Sequence, residues 1–122
     1  MAKRVLLIED EPNIIEAISF ILSRDGWTVH VHADGATAFA RIKALPPDVL
    51  ILDAMLPGAS GFDVLRALRA DALTAALPVL MLTARSQPRD RERAMELGAN
   101  QYMTKPFANA EVLAQVRMLA AG

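Results

Sequence analysis

The sequence predicts an α/β protein in which five parallel strands form one doubly wound sheet, with helices on both faces in a (βα)5 order. Two observations predict it. Short apolar runs of strand length alternate with segments whose apolar residues recur at helical spacing. Strict alternation of this kind argues for parallel strands joined by right-handed helical crossovers. The run Val49-Leu50-Ile51-Leu52 has no polar interruption, which suits a strand covered on both faces.

The elements follow in order. Residues 4–8 read as a first strand. Residues 12–25 carry Ile14, Ile15, Ile18, Ile21 and Leu22 at helical spacing, with Pro12 in the first turn and Asp25-Gly26 as the stop. Residues 27–32 alternate as a strand with one wetter face, on which His30 and His32 stand at i,i+2. That pair could hold a metal, but the wet face of an edge strand is the preferred reading. Asp34-Gly35 reads as a turn or cap before a helix over 35–45, which Pro46-Pro47 ends. Strand 48–52 is followed by a loop with Gly58 and Gly61, then by a helix over 62–71 bearing Phe62, Leu65 and Leu68. Pro78 opens a strand over 79–82. Residues 88–97 form a charged helix that Gly98 stops, with the Arg/Glu run over 89–96 as its solvated face. A short strand over 101–104 and a helix over 109–120, bearing Val112, Leu113, Val116 and Leu119, complete the order. The six methionines read as core filler.

Composition narrows the function. A chain of 122 residues, 53% hydrophobic and 22% charged, can build one domain, 1–122, with its own core. The net charge is −1 and the 13 basic residues are scattered, so neither a nucleic-acid footprint nor a membrane-binding stripe is expected. The absence of cysteine excludes thiol catalysis, zinc–thiolate sites and disulfides, and suits a reducing cytoplasm, where we place the protein. No signal peptide is visible, and no apolar stretch approaches the ~20 residues of a membrane-spanning helix.

Four strands end at reactive groups. Val5–Ile8 leads to Glu9-Asp10, Val49–Leu52 to Asp53, Val79–Leu82 to Thr83, and Tyr102-Met103-Thr104 to Lys105. In an open parallel sheet, ligands bind outside the carboxyl ends of the strands. Three carboxylates on that rim repel one another and raise at least one pKa, a conflict that a divalent cation resolves. Mg²⁺ takes oxygen ligands, usually one or two carboxylates with waters and phosphate. Asp10 and Asp53 are placed in direct contact, Glu9 further out and reaching the ion through water, and the backbone carbonyl of Met55 completes the set. Mn²⁺ can take the place of Mg²⁺. A carboxylate beside such an ion can attack phosphorus, while Lys105 and the Thr83 hydroxyl meet the new phosphoryl oxygens.

The motifs Leu7-Ile8-Glu9-Asp10-Glu11, Leu52-Asp53-Ala54-Met55-Leu56-Pro57-Gly58, Thr83-Ala84-Arg85 and Tyr102-Met103-Thr104-Lys105-Pro106-Phe107 stand in that order. Over essentially its whole length the chain resembles a two-component response-regulator receiver domain. The resemblance implies a flavodoxin-like fold with strand order 2-1-3-4-5. It implies that Asp53 accepts a phosphoryl group from a sensor histidine kinase or a histidine phosphotransfer protein, with Glu9 and Asp10 serving Mg²⁺. Thr83 and Tyr102 would form the switch pair, Tyr102 swinging inward as Thr83 moves toward the phosphoryl group. Lys105-Pro106 would be cis, and Met55 and Arg85 would tune how fast the phosphoryl group is lost. The readout surface would be helix 88–97, strand 101–104 and helix 109–120.

Such a domain modifies itself and turns over no external metabolite. It would act on a downstream protein or on a fused output domain, none of which lies within 1–122. The segment Gly98–Tyr102 lacks the acidic pair that builds a dimer in many winged-helix relatives, so a monomer or a weak phosphorylation-dependent dimer is expected. A haloacid-dehalogenase-type phosphatase needs Asp-x-Asp after a strand, which neither Asp10-Glu11-Pro12 nor Asp53-Ala54-Met55 provides. A flavodoxin needs a hydroxyl-rich phosphate loop where Glu9-Asp10 stands. A binding module without phosphate chemistry would not need the intact acid set. Glu11 is read only as an acid at the start of a helix.

Overall fold

Valine, leucine and isoleucine crowd the inner strands of the computed structural model, which describes residues 3–121. The order is β1 (Lys3–Ile8), α1 (Pro12–Arg24), β2 (Trp27–His32), α2 (Gly35–Ala44), β3 (Val49–Leu52), α3 (Gly61–Ala70), β4 (Val79–Thr83), α4 (Pro88–Glu96), β5 (Gln101–Thr104) and α5 (Asn109–Ala121). All pairings are parallel and the strand order is β2-β1-β3-β4-β5, the flavodoxin-like arrangement.

Each inner strand buries both faces, and period-two alternation divides its side chains between two cores. Leu6, Ile8, Leu50, Leu52 and Met81 pack with Ile42, Phe62, Leu65 and Leu68 from α2 and α3. Val5, Leu7, Val49, Ile51, Leu80 and Leu82 pack with Ile18 and Leu22 of α1 and with Val112 and Val116 of α5. No residue of β3 or β4 escapes burial. The register sets Ile8 beside Leu52 and Leu52 beside Met81, so the strands end together on one rim. Three further backbone bonds carry the ladders past the strand ends: Glu9 N–H to His32 O at 3.0 Å, Asp53 N–H to Ile8 O at 3.1 Å, and Lys105 N–H to Thr83 O at 2.9 Å.

Several boundaries move by a residue because capping decides them. The Ser60 side chain accepts from Asp63 N–H, so α3 starts at Gly61. Asp34 caps α2 in the same way through Thr37 N–H. Asp25, Leu45 and Leu97 lie just outside the helices they end. Two packing expectations are corrected. Only Met81 among the methionines of the described residues is buried, while Met55, Met95 and Met118 are exposed, because they sit on a loop and on outer helix faces. Residues 89–96 are not wholly solvated: Asp90 and Ala94 are buried, one helical turn apart on the face α4 turns to the sheet.

The histidine strand also departs from the reading. Strand β2 is an edge strand, but His30 and His32 are half-buried while Val31 between them is exposed. His32 Nε2 lies 2.8 Å from Thr37 Oγ1, a partner contributed by α2. The strand still alternates, but the half-buried face is the one that carries the histidines.

Candidate functional site

The chain must turn sharply after β3 to leave Asp53 at the rim, and glycine permits it. Gly61 N–H bonds Ala54 O at 2.9 Å, and a Cβ at Gly61 would strike the Asp53 carbonyl. Gly58 takes φ of +87°, a left-handed conformation that favours glycine. The loop thus folds back under Asp53.

Asp53 is 4% exposed, and both of its carboxylate oxygens are held. Oδ1 accepts from Met55 N–H at 3.0 Å and Oδ2 from the Lys105 ammonium at 3.0 Å. Glu9 is more deeply buried, at 1%, with Oε1 2.8 Å from Lys105 Nζ and Oε2 accepting the N–H groups of Asp10 and Glu11 at 3.1 Å each. Lys105 reaches a third acid, Glu11, at 3.2 Å. Asp10 is exposed at the mouth. Thr83 is fully buried and its Oγ1 accepts from Arg85 N–H at 3.3 Å. Tyr102 points inward, 4% exposed, with its hydroxyl donating to the Arg85 carbonyl. Met55 lies exposed beside the cluster, and the Lys105-Pro106 bond is cis.

Electrostatics follow from this crowding. Burial pushes the Glu9 carboxyl above its ordinary range, and the Asp53 charge adds to the rise against the lowering pull of Lys105 and the Glu11 N–H. Burial works against the Lys105 charge, but hydrogen bonds to Glu9 and Asp53, with the Asp53 charge, outweigh it and raise its pKa. The cluster therefore holds more acid than one ammonium neutralises.

One carboxylate oxygen from each of Glu9, Asp10 and Asp53 lies within 4.8 Å of the others. An all-oxygen set with an exposed member fits a hard divalent cation that keeps part of its water. Among the described residues this is the one such grouping, and it contains no histidine. The structure thus brings together Glu9, Asp10, Asp53 and Lys105, and joins Thr83, Arg85 and Tyr102 through hydrogen bonds.

Three contributors were not read from the sequence. Glu11 joins the Lys105 cluster. Asp90 takes the Arg85 guanidinium at 2.9 Å. Arg69, from α3, bonds the carbonyls of Gly98, Thr74 and Ala75 and the Asn100 side chain, tying α3 to the segment before β5. A sequence signal existed for Asp90, since it shares an i,i+4 stripe with Ala94. None existed for Arg69, whose partners are mostly backbone carbonyls.

Residues 5–117 match the response regulator receiver domain family. The phosphate regulon transcriptional regulatory protein PhoB of Klebsiella pneumoniae is 40% identical over 117 residues, which cover 96% of this chain and 51% of that protein. The chain spans about half the length of the curated relatives it matches. A putative response regulator from Chloroflexus aurantiacus superposes with a TM-score of 0.94 at 33% identity, each chain covered in full. The receiver domain of the sensor histidine kinase PA1611 from Pseudomonas aeruginosa, with a magnesium ion coordinated in its active-site cleft, gives 0.90 at 30% identity, again with both chains covered in full. No helix among the described residues is long and apolar enough to cross a membrane.

Proposed function

The chain belongs to the response regulator receiver family, and from that premise we propose that residues 1–122 act as one receiver domain whose phosphoacceptor is Asp53. One observation carries the assignment: Asp53 ends a buried strand with each carboxylate oxygen held by a donor, beside two more acids and one ammonium.

The donor is the phosphohistidine of a sensor kinase or phosphotransfer protein. An Asp53 oxygen forms a bond to phosphorus as the phosphorus–nitrogen bond breaks and its electron pair returns to the donor imidazole. Met55 N–H orients the carboxylate, and Lys105, released from Asp53 Oδ2, takes a phosphoryl oxygen. The Thr83 hydroxyl meets another. Glu9, Asp10, Asp53 and the Met55 carbonyl would hold Mg²⁺, for which Mn²⁺ can substitute. When bound, the ion neutralises charge that builds on the phosphoryl oxygens. The ion in the cleft of the PA1611 receiver domain supports that choice. Met55 and Arg85 border the acceptor and set how fast water reaches it.

Thr83 and Tyr102 form the switch, read out on α4, β5 and α5. A conformational change needs contacts that differ between states, and the phosphoryl group supplies them through Thr83 and Lys105. The target is a downstream protein or an output domain, and the receiver is a monomer or a weak phosphorylation-dependent dimer in the cytoplasm.

The test is intact-mass measurement after incubation with Mg²⁺ and acetyl phosphate. Wild type gains one base-labile phosphoryl group that Asp53→Asn does not. A wild type that gains nothing, or a variant that gains the same group, sinks the assignment.

A further inference from the structure

Asp90 is a buried acid that phosphoryl transfer does not explain. It lies in the first turn of α4, 7% exposed, and its Oδ1 accepts from Arg85 at both Nε (3.2 Å) and Nη2 (2.9 Å). The positive end of the helix dipole favours an acid there, but that effect would serve an exposed carboxylate equally well. Burial calls for a partner, and the partner is Arg85.

Arg85 touches both members of the switch pair through its backbone. Its N–H donates to Thr83 Oγ1 and its carbonyl accepts from the Tyr102 hydroxyl. A hydroxyl that accepts one bond still keeps its own hydrogen to donate, so Thr83 remains free to serve an acceptor oxygen. The same residue holds Tyr102 inside.

We propose that Asp90 is a positioning residue for the phosphoryl-transfer site: by gripping the Arg85 guanidinium it fixes the backbone that orients Thr83 and retains Tyr102. The inference rests on the reading of Thr83 and Tyr102 as the switch pair. Arg85 without its grip lets the loop after β4 drift, and with it the Tyr102 acceptor and the Thr83 hydroxyl.

Two measurements test this on the same chain, with Asp90→Asn, Asp90→Glu, Arg85→Ala and the double variant Asp90→Asn/Arg85→Ala. The first is the rate at which acetyl phosphate and Mg²⁺ add mass at Asp53. Asp90→Asn slows it about two- to thirtyfold, the range by which mutations along a coupling network change a remote equilibrium. Asp90→Glu recovers most of the rate, and the double variant is no slower than the slower single one, as expected when both changes break one contact.

The second measurement needs no phosphorylation. Tyr102 is the only tyrosine of the chain, so phenolate absorbance follows that residue alone. Its pKa is raised, first by burial and next by the Asp90 charge on α4, with Asp53 adding and Arg85 and Arg91 opposing. Losing the Asp90 charge lowers the midpoint by itself, so Arg85→Ala decides: a Tyr102 freed from its burial titrates lower, whereas loss of the Arg85 charge alone raises the midpoint. Wild-type rates in Asp90→Asn, multiplying effects in the double variant, or a Tyr102 midpoint that does not fall in Arg85→Ala would each overturn the proposal. Should Asp90→Asn not fold, Arg85→Ala removes a half-exposed side chain and tests the same contact. If even wild type takes no phosphoryl group, the receiver reading falls, and the Tyr102 titration alone decides whether Asp90 positions it.

Discussion

Two carboxylate–cation contacts in this molecule look alike in sequence and differ in surroundings. Lys105 is 10% exposed and meets Glu9 and Asp53, themselves 1% and 4% exposed. Arg117 is 60% exposed and ties Asp25, 20% exposed, across from α5 to the end of α1. The first lies where the strands end and the second where α1 ends. In the first, charge has been taken from water and each partner depends on the other. In the second, water screens both groups. Charged groups become tools for chemistry where the fold denies them solvent, and remain surface detail where it does not.

The comparison is broken most directly at Lys105. Lys105→Met leaves two buried carboxylates without their ammonium and lowers metal-free stability by about 3 kcal/mol, read from urea unfolding. Adding Asp53→Asn to that variant recovers part of the loss, and Mg²⁺ does the same in the single variant. An unchanged midpoint in Lys105→Met would mean that the rim acids are solvated.

Arg69 is the intermediate case, a half-buried cation whose partners are neutral oxygens. Burial lowers its pKa. Arg69→Ala takes the side-chain donor from the Gly98 and Ala75 carbonyls, while Thr74 O keeps the Leu77 N–H, and costs about 2 kcal/mol, with earlier hydrogen exchange in residues 97–101 as its signature. Exchange that accelerates evenly along the chain would deny Arg69 its role as a local tie.

Arg117→Ala gives the smallest effect. Arg117, aided by the Trp27 indole, holds the Asp25 carboxyl below the ordinary aspartate range against some desolvation. A group with a lowered folded pKa adds stability above its unfolded pKa and loses it as pH falls through the folded one. Wild type and variant should therefore differ slightly in thermal midpoint at neutral pH and coincide in strong acid. A gap that persists in acid would mean that Arg117 works through packing.

Much of this was legible beforehand. The unbroken Val49–Leu52 run announced a strand buried on both faces, and Glu9, Asp53, Thr83 and Lys105 each stood where a strand stops. The geometry joins them because parallel strands in register end on one rim. Asp90 was obscured for a physical reason: in a run dense with arginine and glutamate, only its i,i+4 spacing from Ala94 marks which acid faces inward. His30 and His32 differ again: the strand alternates, but residue polarity did not tell that the half-buried face is theirs and the exposed one Val31's. The methionines were misplaced because a flexible thioether is tolerated inside and outside.

The sequence by itself determined the alternation of strands and helices, the parallel sheet, and which chemical groups stand at strand ends, since these follow from local periodicity and from the residue after each run. Tertiary structure alone decided that Lys105 bridges Glu9, Glu11 and Asp53, that Arg85 serves Thr83 and Tyr102 with one backbone, and that Asp90 is withdrawn to hold it. Such contacts join positions up to 96 residues apart. The interaction that selects them depends on distance and desolvation in three dimensions, which periodicity along a chain does not encode.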